Sequence, residues 1–281
     1  MSRKLAYDAL VVGGGINGLS ALYHLGKMGA GKIGLIEQFR LRNVRGSSHG
    51  HSRVIRSPYV NEHYTKLVRV ARDQEWPSLE RDSDTKLIYP TPACFYGPLG
   101  GRYESYIHNV AASGVDAELL EPEEARRRFP LFRFNDAASV LVDRTAGIVA
   151  AAETLAALAR LCLRSGSEIR EETRVLEIDD SKDPIRLQTD RGPIQTERLI
   201  VTAGPWASRL LPFLKLRLKP ARQIVGYFQL SGDPEDFHVG RFPVWASMGD
   251  GHYYGLPAFG CEGVKVARHI TWSVEDDPDE E

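Results

Sequence analysis

Hydrophobic and polar positions follow two different patterns along the first forty residues, one typical of strands and one typical of a helix. Residues 7–12 (YDALVV) and 32–39 (KIGLIEQF) are short, largely apolar runs of the length of a strand. Between them, Leu19, Leu22 and Leu25 recur at helical spacing. A glycine-rich turn, GGGING, joins the first run to this helix. The order strand, turn, helix, strand predicts a βαβ unit.

Three further segments have the periodicity of helices. In residues 62–76 the apolar positions lie on one face, and Pro77 is predicted to end or kink that helix. Segment 122–129 (PEEARRRF) begins with proline, has acids in its first turn and arginines in its last, and so complements the helix dipole. Segment 150–166 is the clearest helix, and Cys162 falls on its apolar face.

The remainder is typical of strands. Residues 168–204 contain several short β-type runs, with DRG as a turn signal. From about residue 217 the chain is β-rich, and 221–230 and 263–272 alternate as a sheet with one covered face does. We therefore predict an α/β part with a Rossmann-like sheet, interleaved with an α+β part built on an antiparallel sheet.

Composition excludes several classes of partner. The chain has 281 residues, 42% hydrophobic content and a net charge of −1. We expect a globular protein that binds neither nucleic acid nor a membrane, since it is not basic and has no apolar run near the length of a span. Its three cysteines are far apart and show no metal spacing, so no disulfide framework or metal site is predicted. No signal peptide is recognised, and cytoplasm is the expected compartment.

The turn after the first strand carries a dinucleotide fingerprint. Gly13, Gly15 and Gly18 form G-x-G-x-x-G between a strand and a helix. Glu37 ends the second strand, where a carboxylate accepts hydrogen bonds from a ribose 2′-hydroxyl. The alternative is a purely structural glycine turn, but the strand, helix and terminal acid all agree with a cofactor site.

The long interruption after Glu37 favours FAD over NAD. The chain runs into RGSSHGHSRVIRSPY (45–59) and returns much later with LIVTAGPWAS (199–208). A Rossmann NAD enzyme usually continues with further strand–helix repeats, whereas FAD is larger and needs an extended groove.

These motifs together resemble a known family. GGGING, LIEQF, RGSSHGHSRVIR, LIVTAGPWAS, YYGLP and GVKVARH, in this order, are similar to the D-amino-acid-oxidase superfamily of flavoproteins. The similarity is greatest to the group of monomeric sarcosine, N-methyltryptophan and pipecolate oxidases. The resemblance implies an FAD-binding domain over 1–85 and 145–215 and a substrate domain over 86–144 and 216–281.

The resemblance also implies a reaction. In this group a secondary amine of an amino acid is oxidised by hydride transfer to flavin N5. The imine hydrolyses, and dioxygen reoxidises the flavin to give hydrogen peroxide. The implied partners are a small amino-acid substrate and dioxygen, and the implied state is a monomer.

Residue roles follow where the motifs match. Arg56 resembles the arginine that binds the substrate carboxylate, a task suited to a guanidinium fork. Arg53 and His49 resemble residues against the flavin ring, and Lys265 resembles the lysine that activates oxygen. Tyr254 and His269 resemble substrate-pocket residues; Lys265 and His269, four apart, are predicted to share one face of a strand. The predicted cofactor site comprises Gly13, Gly15, Ile16, Asn17, Gly18, Glu37, Gln38, Arg45, Ser47, Ser48, His49, Arg53, Val175, Ala203, Gly204 and Trp206.

The sequence departs from the group at its C-terminal side. The family's chain is longer, and none of Cys94, Cys162 and Cys261 matches the cysteine that links the flavin covalently. A covalent flavin is therefore not expected, and the chain is interpreted as C-terminally truncated. Two alternatives stay open: a non-catalytic flavin-binding fragment, or a related glycine or D-amino acid oxidase. A peroxisomal location is the alternative to cytoplasm.

Overall fold

The computed structural model describes residues 5–59, 61–215, 218–249, 251–269, 273–274 and 278–279. The predicted strand end at 270–272 and most of the acidic tail lie outside the described residues. The α-helices are α1 (Ile16–Lys27), α2 (Glu62–Val70), α3 (Trp76–Ser83), α4 (Gly101–Ser113), α5 (Pro122–Arg128), α6 (Ala151–Arg164) and α7 (Ala207–Leu210). None of the helices in these ranges is long and apolar enough to cross a membrane.

The strands are short and numerous. In chain order they are β1 (Leu5–Val12), β2 (Ile33–Ile36), β3 (Ser52–Ile55), β4 (Ile88–Pro90), β5 (Ala93–Gly97), β6 (Ala117–Leu120), β7 (Ser139–Asp143), β8 (Gly147–Ala150), β9 (Glu168–Arg170), β10 (Val175–Asp179), β11 (Ile185–Thr189), β12 (Gly192–Val201), β13 (Ala221–Arg222), β14 (Val225–Phe228), β15 (Val244–Ser247), β16 (Tyr253–Leu256), β17 (Val264–Arg268) and β18 (Ser273–Val274). The predicted mixture of α/β and antiparallel parts is confirmed.

The chain forms two compact units. Unit 1 comprises residues 1–50, 151–220 and 274–281, and its six-stranded sheet has the order β10-β11-β12-β1-β2-β9. β12, β1, β2 and β9 run parallel, while β10 and β11 add an antiparallel edge. β1 is buried over its last four residues because it is the central strand of a sheet covered on both faces.

The helices of unit 1 form where the sequence predicted them. α1 begins at the fingerprint turn and ends before Gly29, whose φ of +66° reverses the chain. α6 buries Leu155, Leu158 and Cys162 on one face. The Cys162 thiol contacts the Leu19 carbonyl oxygen at 3.7 Å, so α6 packs against α1.

Unit 2 comprises residues 51–150 and 221–273. Its seven-stranded sheet has the order β14-β17-β16-β15-β5-β7-β6, and a separate three-stranded sheet has the order β3-β8-β4. Neighbours in the larger sheet are antiparallel except β15 and β5, which are parallel. β14 is its edge strand and exposes Val225, Tyr227 and Phe228.

One sequence prediction needs correction within unit 2. Of the two outcomes predicted for Pro77, an end or a kink of the helix, the end is wrong: a π-helical turn, Ala71–Glu75, joins α2 to α3, and the proline lies in the first turn of α3, where no N–H is required. In α2, Tyr64 and Leu67 are exposed. α4 was not predicted from the sequence.

The units and the predicted domains divide the chain at different residues. The compact units separate at Gly50 and His51, and again at Ala150 and Ala151. Compactness does not report what each part binds, so the predicted division into an FAD-binding and a substrate domain stays a prediction.

Candidate functional site

The fingerprint turn is closed by backbone contacts that leave no room for a side chain. Gly13 has φ +107°, and a Cβ there would lie 2.4 Å from the Thr202 carbonyl oxygen. A Cβ on Gly18 would lie 1.8 Å from the Gly13 carbonyl oxygen. The Thr202 hydroxyl donates to the carbonyls of Val12 and Gly13 at 3.0 and 3.1 Å. The glycines therefore allow β1, β12 and the start of α1 to meet.

Glu37 follows β2 and faces the same turn. It is 8% exposed, and its two carboxylate oxygens accept hydrogen bonds from the backbone N–H groups of Gly14 at 2.6 Å and Phe39 at 2.9 Å. Each carboxylate oxygen can accept a further hydrogen bond, so the side chain can still receive a ribose hydroxyl.

The N-terminus of α1 is flanked by small residues. Gly15 is the N-cap and, because it has no side chain, makes no side-chain capping hydrogen bond. The Ser48 hydroxyl accepts from the Ile16 N–H at 3.0 Å. A helix N-terminus with glycine at its cap lets a phosphate approach the backbone N–H groups and the positive end of the dipole.

A cleft of about 420 Å³ lies over this turn, wholly within unit 1. Most predicted cofactor residues line it, namely Gly13, Gly15, Ile16, Asn17, Glu37, Gln38, Ser47, Ser48, Val175, Ala203, Gly204 and Trp206. Gly18 does not line the cleft and instead packs against the Gly13 carbonyl oxygen and the Thr202 side chain. Arg45, His49 and Arg53 are not among the lining residues: Arg45 stacks 5.2 Å from the Phe39 ring, and His49 is exposed with Nδ1 2.6 Å from the Gly46 carbonyl oxygen.

Two cations of unit 2 meet at one backbone carbonyl. Lys265 in β17 is 6% exposed, and its Nζ donates to the Ser52 carbonyl oxygen at 3.1 Å. The Arg53 guanidinium donates to the same oxygen at 2.8 Å. We call Lys265, Arg53 and the Ser52 carbonyl the cation cluster. Burial, and then the charge of Arg53, lower the pKa of Lys265 to about 8.

Arg56 lies just beyond β3 in an aromatic cage. Its guanidinium carbon is 4.1 Å from the Tyr59 ring centroid, 5.6 Å from Phe95 and 5.5 Å from Tyr106. One N–H donates to the Pro58 carbonyl oxygen at 2.5 Å. Burial lowers the pKa of Arg56, while Tyr59 and Asp143 act in the opposite direction. Stacking holds the guanidinium plane and leaves further N–H donors for a carboxylate.

The side chains of Tyr254 and His269 lie near each other, and their role in a substrate pocket stays a prediction. Their ring centroids are 6.3 Å apart at an interplanar angle of 81°. The prediction that Lys265 and His269 share one face of a strand is wrong, because β17 ends at Arg268 and does not include His269. Lys265 is buried and His269 is exposed. The His269 N–H donates to the His252 carbonyl oxygen at 2.7 Å.

Comparison with known proteins decides the family. The model of a family described as "DAO: FAD dependent oxidoreductase" matches residues 8–279. The chain belongs to this family. It is 30% identical to monomeric sarcosine oxidase of Arthrobacter sp. (strain TE1826), over 99% of this chain and 72% of that protein. It is 34% identical to peroxisomal sarcosine oxidase of Mus musculus, over 98% of this chain and 70% of that protein.

Solved structures agree with the fold of the DAO family. NikD, described as an unusual amino acid oxidase essential for nikkomycin biosynthesis, superposes with a TM-score of 0.85 at 22% identity, over 99% of this chain and 73% of that one. L-proline dehydrogenase from P. horikoshii gives a TM-score of 0.79 at 20% identity, over 98% of this chain and 73% of that one. The expected resemblance and fold class are confirmed.

The sequence did not indicate several residues near the cation cluster and in the unit 1 cleft of this DAO-family chain. Tyr227 in β14 pairs directly with Lys265 across the sheet; burial raises its pKa, and the charge of Arg53 opposes the rise. Alternation predicted the strand but not its register. In unit 1, Arg174 and Arg209 line the cleft and both pair with Asp279, which also accepts from the Trp206 indole N–H at 2.8 Å. No sequence motif identified these two arginines.

The cysteines of this DAO-family chain differ in their surroundings. Cys94 and Cys162 are buried, and burial raises the pKa of both thiols, that of Cys162 to about 12. Cys261 is half-buried; burial raises its pKa and the charge of Lys265 opposes this. Buried thiols of raised pKa are poor nucleophiles. That the flavin is not covalently linked stays a prediction.

Proposed function

We propose that this protein oxidises the secondary amine of a small amino acid, of the sarcosine, other N-methyl amino acid or pipecolate type, with FAD as cofactor and dioxygen as electron acceptor. Family membership supports FAD, and the sarcosine oxidase relatives support an amino-acid substrate. The observation that carries the proposal is the buried Lys265, held beside Arg53 on the Ser52 carbonyl oxygen. A lysine buried beside a second cation costs stability, so its presence here suits a chemical role.

The unit 1 cleft fits the dinucleotide part of FAD. The backbone approach at Gly13 and Gly18, the glycine-capped start of α1 and the remaining acceptor capacity of Glu37 match a pyrophosphate and a ribose. Asn17 and Gln38 add polar groups to the lining. When bound, FAD accepts a hydride from the carbon next to the amine nitrogen and passes two electrons to dioxygen, which gives hydrogen peroxide.

In this proposal Arg56 binds the substrate carboxylate. Its aromatic cage fixes the guanidinium plane, so less side-chain entropy is lost when the two parallel hydrogen bonds form. Tyr254 and His269 contact the rest of the substrate, and Tyr227 is added to them by its position opposite Lys265. Each contact orients the carbon–hydrogen bond that breaks.

The cation cluster stabilises negative charge. Lys265 and Arg53 need no reorganisation at the moment of reaction, because the Ser52 carbonyl oxygen already fixes both. In this proposal Arg53 would favour negative charge on the cofactor, and Lys265 would favour the anion formed when oxygen takes its first electron. A pKa of about 8 leaves Lys265 largely protonated at neutral pH.

The decisive experiment combines colour, flavin release and peroxide formation. Purified protein is expected to be yellow and to release its flavin on acid precipitation, since no cysteine is assigned to a covalent link. It is expected to form peroxide with sarcosine, N-methyltryptophan or pipecolate. Turnover only with glycine or D-alanine would move the assignment to a primary-amine oxidase, and flavin without turnover would identify a binding fragment.

Two accompanying properties belong to the same proposal. We infer a monomer in the cytoplasm, with a peroxisomal location as the alternative, because a similar protein of Mus musculus is named a peroxisomal sarcosine oxidase. Size-exclusion chromatography with light scattering tests the first property, and microscopy of the tagged protein tests the second.

A further inference from the structure

A carboxylate with no exposed surface lies beneath the segment that carries Arg56. Asp143 is the last residue of β7 and is 0% exposed. One of its oxygens accepts from the Ser57 N–H at 2.8 Å. The other accepts from the Thr145 N–H at 2.8 Å and the Thr145 hydroxyl at 2.7 Å. A buried carboxylate is stable only when such donors replace water.

Side chains close this arrangement into a ring. The Ser57 and Thr145 hydroxyl oxygens are 2.6 Å apart, and Arg72 donates to the Ser57 hydroxyl at 3.0 Å. Asp143, Ser57 and Thr145 thus bond to one another by both backbone and side-chain groups. Arg72 extends the ring to the π-helical turn. The same ring of bonds holds the backbone one residue after Arg56.

The described residues 56–59 belong to no strand or helix. β3 ends at Ile55 and α2 begins at Glu62, so the backbone of these residues depends on bonds to other elements. The Pro58 carbonyl oxygen accepts from the Tyr106 hydroxyl at 2.5 Å, and the Tyr59 carbonyl oxygen accepts from the Asn109 side chain. Asp143 is the acidic member of these anchors, and its carboxylate accepts from the backbone N–H of Ser57.

We infer that Asp143 is a positioning residue for Arg56. By fixing the Ser57 N–H it sets where the Arg56 side chain leaves the backbone, and so sets the direction of the guanidinium in its aromatic cage. The inference rests on the proposed role of Arg56 in carboxylate binding. Asp143 itself is not proposed to touch the substrate, so its effect is expected on substrate affinity rather than on the oxidation step.

Asp143→Asn tests this inference with little change of volume. An amide has one acceptor oxygen and one NH₂ donor, so the donor must face either Ser57 N–H or the two Thr145 donors. We expect KM for sarcosine to rise on the order of tenfold while kcat falls less than about twofold. The Ser57 amide is expected to exchange with solvent deuterium at least about tenfold faster, as read by mass spectrometry.

Matched variants separate this role from general stability. Asp116→Asn removes an exposed carboxylate that pairs with Arg144, and it is expected to leave KM and Ser57 exchange unchanged. Thr145→Val removes one donor to Asp143 and is expected to act in the same direction but more weakly. Thr145→Val carries the test if Asp143→Asn does not fold.

Each result decides the inference. A raised KM with nearly constant kcat supports it, whereas unchanged KM overturns it even if Ser57 exchange increases. If the wild type shows no turnover, the proposed function fails separately. The Arg56 Nε–H signal in ¹⁵N nuclear magnetic resonance then decides: a changed signal in Asp143→Asn supports the positioning role, and an unchanged one overturns it.

Discussion

The fingerprint turn of unit 1 and the cation cluster of unit 2 are built on opposite principles. The turn is made largely of backbone, and its glycines lie within six positions, from Gly13 to Gly18, with Thr202, which follows the neighbouring strand β12, packed against them. The cluster is made of side chains that meet across more than two hundred positions, since Lys265 donates to the carbonyl of Ser52. One is a close contact of backbone atoms, and the other is an arrangement of charged side chains.

The difference determines which kind of change each region tolerates. Where backbone atoms touch, one added methyl group is excluded by hard contacts. Where two buried cations share one carbonyl, volume is less restrictive than charge, because each cation raises the cost of burying the other. Substitutions can therefore be chosen to damage one region and spare the other.

The largest effect is expected from Gly18→Ala. Its Cβ would lie 1.8 Å from the Gly13 carbonyl oxygen, so β1 and α1 must separate and the turn must open. We expect FAD affinity to fall at least about a hundredfold and stability to fall by about 3 kcal/mol. Titration of the protein into FAD, followed by flavin fluorescence, measures the first, and urea unfolding measures the second.

Gly29→Ala is the matched control at the other end of α1. Gly29 has φ +66° but nothing within 4 Å of a Cβ, so the expected cost is about 1 kcal/mol with no loss of FAD affinity. Wild-type FAD affinity in Gly18→Ala would contradict the backbone account of the turn.

The contrast between the fingerprint turn and the cation cluster also explains which residues the sequence predicted and which it did not. The βαβ unit, the glycine turn and Glu37 follow from local periodicity and spacing, and the structure has them where expected. Arg56 and Lys265 were singled out only through a family resemblance, and nothing local indicates that Lys265 is buried. Tyr227 and Asp143 were missed because the pairing of β14 with β17, and the return of β7 beneath Ser57, are tertiary events.

Lys265→Met is expected to have the second largest effect, and only in unit 2. Removal of the buried charge should slow reoxidation of the reduced protein by dioxygen on the order of a hundredfold, while reduction by substrate changes little. Rapid mixing of reduced protein with oxygenated buffer gives the rate constant. Lys86→Met, at an exposed lysine of the same unit, should keep the wild-type rate. Equal rates in the two variants would remove Lys265 from the reaction.

Arg56→Met should produce a smaller change. Methionine keeps much of the apolar contact with Tyr59 and Tyr106 but forms no bond to a carboxylate. We expect KM for sarcosine to rise about thirtyfold, which corresponds to about 2 kcal/mol for the lost charged hydrogen bonds. Arg241→Met, at an exposed ion pair with Asp236, is the control and should leave KM unchanged. A normal KM in Arg56→Met would assign carboxylate binding to another residue.

The last expected effect is a pH dependence of the free energy of unfolding, which the cation cluster should show and the fingerprint turn should not. Burial and Arg53 lower the pKa of Lys265 to about 8, against 10.5 in the unfolded chain. Below pH 8 the lysine is protonated in both states, so the native state carries the full cost of the buried charge. Between pH 8 and 10.5 the unfolded chain binds more protons than the native protein, so the free energy of unfolding rises with pH. The rise is at most about 1.4 kcal/mol per pH unit.

Urea unfolding of the wild type and of Lys265→Met at several pH values measures this contribution as the difference between their free energies of unfolding. The variant should be the more stable protein at pH 7.5, and its advantage should shrink towards pH 10. A constant difference would mean that Lys265 titrates as an ordinary exposed lysine, whereas Gly18→Ala, which alters no charge, should give a constant difference from wild type over the same range.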